Sequence, residues 1–323
     1  MRYRRFGRTG WQVSEVGYGM WGMAGWTGSD DDESLRALER AIAVGVNFFD
    51  TAWAYGQGKS EQLFREMRRK HRDAELIVAT KIPPKNMRWP ARAEYPVSET
   101  YPADHIRRLT ETSLENLGVD AIDLQQFHVW SDAWADDEGW QRAVDDLKRE
   151  KLVRAFGISV NRREPANVVR ALRTGLVDSV QVVYNIFDQA PEDELFPYCE
   201  AHDLAIIARV PFDEGSLTGN VTAASAWPEG DFRNGYFTAE TLPPTIERVQ
   251  RLKPVVPDGM DLPELALRFI LEQSAVSTTI PGMRKPRHVE RNASVSDGVK
   301  LPPRLHEALK QHRWDRPVNP SQS

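Results

Sequence analysis

The sequence predicts a closed parallel (β/α)8 barrel, a TIM-type α/β fold. Apolar, β-branched runs alternate with amphipathic helical patterns eight times along the chain. The length of 323 residues suits a barrel of ~250 residues with insertions. Polar residues also stand at the ends of successive strand-like runs, which is where a parallel barrel gathers its site.

The opening segment RYRRFGRTGWQV, with Gly7 and Gly10 as turn residues, predicts a short hairpin capping the barrel bottom. Strand one is expected over 14–20 and is followed by a helix carrying Leu35, Leu38 and Ile42 on one face, closed by Gly45. Strand two (46–50) leads to a helix bearing Leu63, Phe64 and Met67, and strand three covers 76–81. A Pro-rich loop (83–102) precedes a helix with Ile106, Leu109, Ser113, Leu114 and Leu117 on one face, stopped by Gly118. Strand four (121–128), strand five (152–159), strand six (179–185) and strand seven (204–210) each have a helical partner. A long loop (213–244) follows strand seven, and strand eight falls at 276–282. An amphipathic helix near 303–312 precedes a tail, 315–323, expected to fray. No compositional break marks a linker, so residues 1–323 are expected to form a single domain.

Composition narrows the function. Apolar residues make up 41% of the chain, enough for a sizeable core. The net charge of −5 argues against a nucleic-acid surface or a polybasic membrane patch. No apolar run approaches the ~20 residues of a membrane helix, and no hydrophobic stretch follows the basic N-terminus as in a secretory signal. A single cysteine, Cys199, excludes an intrachain disulfide and suits a reducing cytoplasm. It lies on an amphipathic helix and reads as a buried structural thiol. The seven histidines include no pair at metal-ligand spacing, so no metal site is expected.

Asp50 and Tyr55 follow strand two in FFDTAWAYG, Lys81 ends strand three in IVATK, and His128 ends strand four in LQQFH. Taken singly, each has an ordinary explanation: a capping Asp, a half-buried Tyr, a surface Lys, a satisfied core His. An acid, a phenol, an amine and an imidazole at one end of adjacent strands point instead to proton chemistry. A free phenol, with a pKa near ~10, is a weak acid at neutral pH. A nearby ammonium lowers that value, a carboxylate keeps the ammonium charged, and an imidazole orients a carbonyl. The product is a general acid aimed at a developing alkoxide. The literal G-x-G-x-x-G at Gly17, Gly19 and Gly22 is a weak dinucleotide signal. Another ten residues pass before helical periodicity begins, and Glu39, at the acidic spacing, falls within a helix. Glycines that let a ligand approach the barrel mouth fit better.

The segments RRFGRTGWQVSEVGYGMWG, FFDTAWAYGQGKSE, VATK, SLENLGVDAIDLQQFH, RAFGIS, VQVVYN, GSLTG and IPGMRK, in this order over roughly residues 3–295, resemble those of the aldo-keto reductases. The resemblance implies a TIM barrel that reduces aldehydes and ketones with NADPH and no metal. It implies that Tyr55 donates the proton, that Lys81 lowers its pKa, that Asp50 pairs with Lys81, and that His128 orients the carbonyl. Ser159 and Gln181 would hold the nicotinamide carboxamide. Gly19, Met20 and Trp21 would border the cofactor, with Asp50. Val210, Pro211, Phe212, Gly215 and Leu217 would lie along its nicotinamide and pyrophosphate. Arg284, beside Gly282 and near a helix N-terminus, would meet the adenosine 2′-phosphate, and Asn292 the adenine.

Three departures matter. Many members carry Asn directly after the Ser of strand five; here Val160 stands there, with Asn161 one residue on. Arg209 replaces the tyrosine that many members stack on the nicotinamide, and a guanidinium also stacks on a flat ring. His288 stands where a basic phosphate contact is common, leaving Arg284 and Lys285 to select NADPH; NADH remains a possible cofactor. Trp21, Trp53 and Trp130 follow strands one, two and four and, with Tyr55, are expected to line an apolar carbonyl pocket. Ordinary packing against the barrel top explains the tryptophans equally well. Phe232, Tyr236 and Phe237 place aromatic weight on a segment able to close as a lid.

The expected activity is NADPH-dependent carbonyl reduction, with a small-molecule carbonyl substrate and no required oligomer. One alternative is a Schiff-base lyase using Lys81, disfavoured by the carboxylate expected beside it. The other is a nucleotide-binding regulatory or channel-associated subunit of the same fold with slow turnover.

Overall fold

The computed structural model describes residues 1–24 and 28–316. Strands β1 (Tyr3–Arg5) and β2 (Gln12–Ser14) pair antiparallel and form the expected hairpin. It plugs one end of the barrel. Phe6 and Val13 have no exposed surface and join Phe48, Ala79, Leu124, Ala155 and Ile207 in one apolar cluster. The approach is tight at Gly7 (φ +47°), where a Cβ would lie 2.6 Å from the Ala205 nitrogen. Glycine alone fits there without strain.

Eight parallel strands follow in sequence order: β3 (Tyr18–Gly19), β4 (Phe48–Asp50), β5 (Ile77–Ile82), β6 (Ile122–Phe127), β7 (Val153–Ser159), β8 (Ser179–Val183), β9 (Ala205–Arg209) and β10 (Val276–Thr279). Parallel bridges from Val16 to Thr279 and from Gly19 to Gly282 bring the first and last strands together into a nearly closed barrel. The expected first strand shrinks to two residues because Ser14 belongs to the hairpin. Its seam with β10 is also close: a Cβ on Gly19 would sit 2.6 Å from the Ile280 oxygen. The helix Ala103–Leu117 ends at Gly118 in the left-handed region (φ +64°), as the sequence predicts. Cys199 is buried, and burial pushes its thiol up to about 12.

Side chains alternate along a strand, so residues two apart share a face. Phe48, Ala79, Leu124 and Ile207 belong to the apolar plug cluster. Two residues further along the same strands stand Asp50, Lys81, Gln126 and Arg209. The barrel interior therefore changes from an apolar floor to a polar mouth within one strand repeat.

Three expectations are corrected. The segment 213–244 is not featureless: it contains a 3-10 turn (Asp213–Thr218), a short helix (Arg233–Tyr236) and the start of the helix Leu242–Leu252. Of the expected frayed tail, 317–323 lies outside the described residues, and Arg316 is held firmly. Its guanidinium donates to Asp188 Oδ2 at 2.6 Å, Asp213 Oδ1 at 2.8 Å and the Tyr236 hydroxyl at 2.5 Å. A buried cation between two carboxylates is anchored, whatever the composition around it.

The third correction concerns Trp130. The chain leaves β6 at Phe127, and Trp130 turns away from the mouth into the helix layer. It is fully buried, stacked on Phe127 (ring centroids 5.6 Å, planes 7° apart) and edge-on to Trp134 and Trp140. Truncating so large a buried ring leaves a cavity. Trp130→Ala is expected to reduce unfolding free energy by about 3–5 kcal/mol, read as a lower urea midpoint at unchanged m.

Candidate active site

Lys81 sits at the centre of the mouth with no exposed surface. Its ammonium donates to Asp50 Oδ2 at 2.6 Å, to the Thr51 carbonyl at 2.8 Å and to the Tyr55 oxygen at 3.3 Å. Burial by itself would lower the ammonium, but Asp50 and Tyr55 outweigh it and the net shift is upward. The other Asp50 oxygen accepts from Gln181 Nε2 at 2.7 Å and Gln126 Nε2 at 3.4 Å. The carboxylate is thus gripped from three strands, β5, β6 and β8.

Tyr55 reaches this centre from a tight turn between Asp50 and the helix Lys59–Lys70, with Gly56 and Gly58 both at positive φ. Because its oxygen accepts from Lys81, the hydroxyl proton is free to be donated elsewhere. Lys81 pulls the phenol pKa down, but burial pushes it up by more, and the net shift is upward. His128 packs edge-on to Tyr55 (centroids 5.6 Å) and to Trp89 (4.7 Å). Burial, then the charges of Lys81 and Arg209, hold its imidazole well below the usual histidine range, so it is neutral at pH 7. Its Nδ1 is buried without a hydrogen-bond partner.

These groups open onto a cavity of about 1180 Å³, larger than the ~300–1,000 Å³ of ordinary small-molecule pockets. It is lined around Lys81 by Asp50, Tyr55, His128 and Gln181, with Trp21 and Trp89 also on its wall. Gly19, Arg209, Val210, Pro211, Phe212, Gly215 and Gly282 line it too, as do Arg284, Lys285, His288 and Asn292. Lys285 caps the N-terminus of the helix Pro286–Ser294, a favourable place for anions. Burial, then neighbouring cations led by Arg287, lowers the His288 pKa, so positive charge there comes from Arg284 and Lys285.

Other nominated residues lie off the wall. Ser159 is nearly buried and pairs in register with Gln181 across β7 and β8. Met20 and Leu217 are fully buried in the hydrophobic core. Trp53 packs against that core and, like Trp130, does not line the cavity. Asn161, one residue beyond Val160, is turned toward protein partners. Its amide is spent on Ala91 (Nδ2 to the carbonyl, 2.8 Å; Oδ1 from the N–H, 3.2 Å) and on Glu164. Val160 instead offers its carbonyl to the Arg209 guanidinium at 3.0 Å.

Several contributors escaped the sequence reading. Gln126 stands two residues beyond the floor residue Leu124 on the same face of β6, a signal that alternation supplies. Behind Lys81, Thr80 donates to the buried Glu61 at 2.6 Å, and Asn116 donates to its other oxygen at 2.8 Å. Arg162 pairs with Glu214 at the cavity wall and packs on Tyr236 (4.7 Å to the ring centroid). Those pairings join residues far apart in the chain and leave no local pattern.

The residues present suit a dinucleotide. Gly215 and Gly282 present bare backbone to the cavity, with nothing within 4 Å of where a Cβ would stand. Arg162 Nη1 and Arg209 Nε are buried donors without partners. Arg284, Lys285 and a helix N-terminus line the same cavity and suit a phosphate.

Comparison with known proteins agrees with this geometry. A family model described as the aldo/keto reductase family matches residues 15–313. The chain is 29% identical over 315 residues to the uncharacterized oxidoreductase YqkF of Bacillus subtilis (strain 168), covering 97% of this chain and 96% of that protein. It is 27% identical over 304 residues to the NADH-specific methylglyoxal reductase of Escherichia coli (strain K12), covering 89% and 91%. Among solved structures, the glycerol dehydrogenase of Gluconobacter oxydans superimposes with a TM-score of 0.79 at 25% identity, covering 98% of both chains. On this match, and on the barrel that carries it, the chain belongs to the aldo/keto reductase family of oxidoreductases.

Proposed function

We propose that this protein reduces an aldehyde or ketone to an alcohol, with Tyr55 as the general acid. The observation that carries the reading is the Lys81 ammonium donating to the Tyr55 oxygen at 3.3 Å, which leaves the phenol proton to face the cavity. A carbonyl oxygen within hydrogen-bond reach of Tyr55 also meets His128. The neutral imidazole orients it without competing as a strong acid. When bound, the nicotinamide cofactor supplies the hydride. As negative charge develops on the carbonyl oxygen, the Tyr55 proton moves to it and the Lys81 ammonium stabilises the phenolate left behind. Asp50, held by Gln126 and Gln181, keeps that ammonium in place.

Arg284 and Lys285 beside a helix N-terminus favour a cofactor carrying the 2′-phosphate, NADPH, with NADH as the weaker partner. Trp21, Met87, Trp89 and Phe232 at the mouth favour a substrate with an apolar face. A Schiff base on Lys81 fits poorly, since its amine is held charged by Asp50.

Tyr55→Phe is expected to lower kcat by about 10²–10⁴ while NADPH affinity stays within about twofold; turnover near that of the wild type would sink the mechanism. The acid form of Tyr55 is the working form, and burial raises its pKa above the usual ~10. Reduction is therefore expected to hold a flat kcat from about pH 6 to 9 and to fall only at higher pH. A steady-state pH profile with a step near 6.5 would show instead that the imidazole titrates in turnover.

A further inference from the structure

We propose that Arg209 makes the site discriminate between the oxidation states of its nicotinamide cofactor, binding the reduced form more tightly than the oxidised one. The inference rests on the carbonyl-reductase reading. Its starting point is the charge inventory of the cavity. Lys81 is matched by Asp50 and Arg162 by Glu214. Arg209 has no carboxylate within ion-pair distance among the described residues. Its guanidinium is fixed on a neutral acceptor, the Val160 carbonyl at 3.0 Å, and its Nε has no partner.

That charge stands close to the chemistry. Arg209 lines the same cavity as Tyr55 and His128, and its field is felt at both. Burial, then repulsion from Arg162, lowers its pKa only to about 10, so it stays charged at neutral pH. A carbonyl bonded to Tyr55 must accept hydride from a carbon within about 3–3.5 Å. Any ring delivering that hydride therefore lies in the field of Arg209. The dihydronicotinamide ring is neutral and electron-rich; the oxidised ring carries a positive charge. The guanidinium attracts the face of the first and repels the second. In a cavity with an effective dielectric of about 20, two unit charges several ångströms apart repel enough for an affinity difference of tenfold or more, about 1.4 kcal/mol. Val160 contributes by offering only its carbonyl, so Arg209 is anchored without being neutralised.

The test is equilibrium binding of NADPH, NADP+, NADH and NAD+ to the full chain, followed by calorimetry. The wild type is expected to bind the reduced member of each pair at least about tenfold more tightly, whichever pair it prefers. Arg209→Met, which removes the charge and keeps bulk, is expected to bring the ratio within about threefold, mainly by tightening the oxidised form. Arg209→Lys is expected to keep most of the preference. NADPH binding by the Met variant shows that the cavity is intact. A wild-type ratio near one, a ratio that survives in Arg209→Met, or a Met variant that binds neither NADPH nor NADH overturns the proposal. If the wild type binds none of the four nucleotides, the reductase reading itself fails and the proposal falls with it.

Discussion

The Lys81 ammonium has no exposed surface, and 2.6 Å away Asp50 supplies the charge that makes this tolerable. An isolated buried cation costs several kcal/mol, and removing one partner of such a pair typically destabilises by about 3–5 kcal/mol. The rest of the mouth is arranged around that constraint. Thr51 gives Lys81 a carbonyl, Gln126 and Gln181 occupy the second Asp50 oxygen, and Tyr55 takes the last ammonium proton. Each of these groups is held because the ion pair must be satisfied. The same satisfaction leaves one phenol proton pointing outward.

A second ionic assembly braces the wall of the cavity. The chain after β9 takes positive φ at Val210, Asp213 and Glu214, which is costly for residues with side chains. Glu214 is paired with Arg162, and Asp213 with Arg316 and the Tyr236 hydroxyl. These contacts offset the strain and fix a segment that borders the cavity. The first assembly holds Tyr55 beside Lys81, and the second holds the segment that borders the cavity.

Much of this was legible in the sequence for a geometric reason. Asp50, Lys81 and Arg209 each stand two residues beyond an apolar floor residue, so alternation alone carries them into the barrel mouth. Gly118 stopped its helix where its permissive backbone predicted. Trp130 misled because alternation lapses once the chain leaves β6 at Phe127. The contacts of Asn161 were not legible, because its partner Ala91 belongs to a loop 70 residues away. The upward shift at Tyr55 was hidden for a related reason: its burial is a property of the assembled mouth, while Lys81 was visible in the chain. Arg316 sits in a polar, Pro-bearing stretch whose composition gives no hint of a buried role.

Arg316 also carries a consequence for the order of events in synthesis. It pins Asp213 and Tyr236 from more than 70 positions downstream. Translation makes the strands of the barrel in the order in which they pair, so most of the scaffold is available to fold as it emerges. The brace beside the cavity is not. A nascent chain that has every strand, with Asp50, Tyr55, Lys81 and His128, still lacks the Arg316 contacts to Asp213 and Tyr236 until residue 316 has been added. The segment bordering the cavity is thus braced late, after the barrel that supports it.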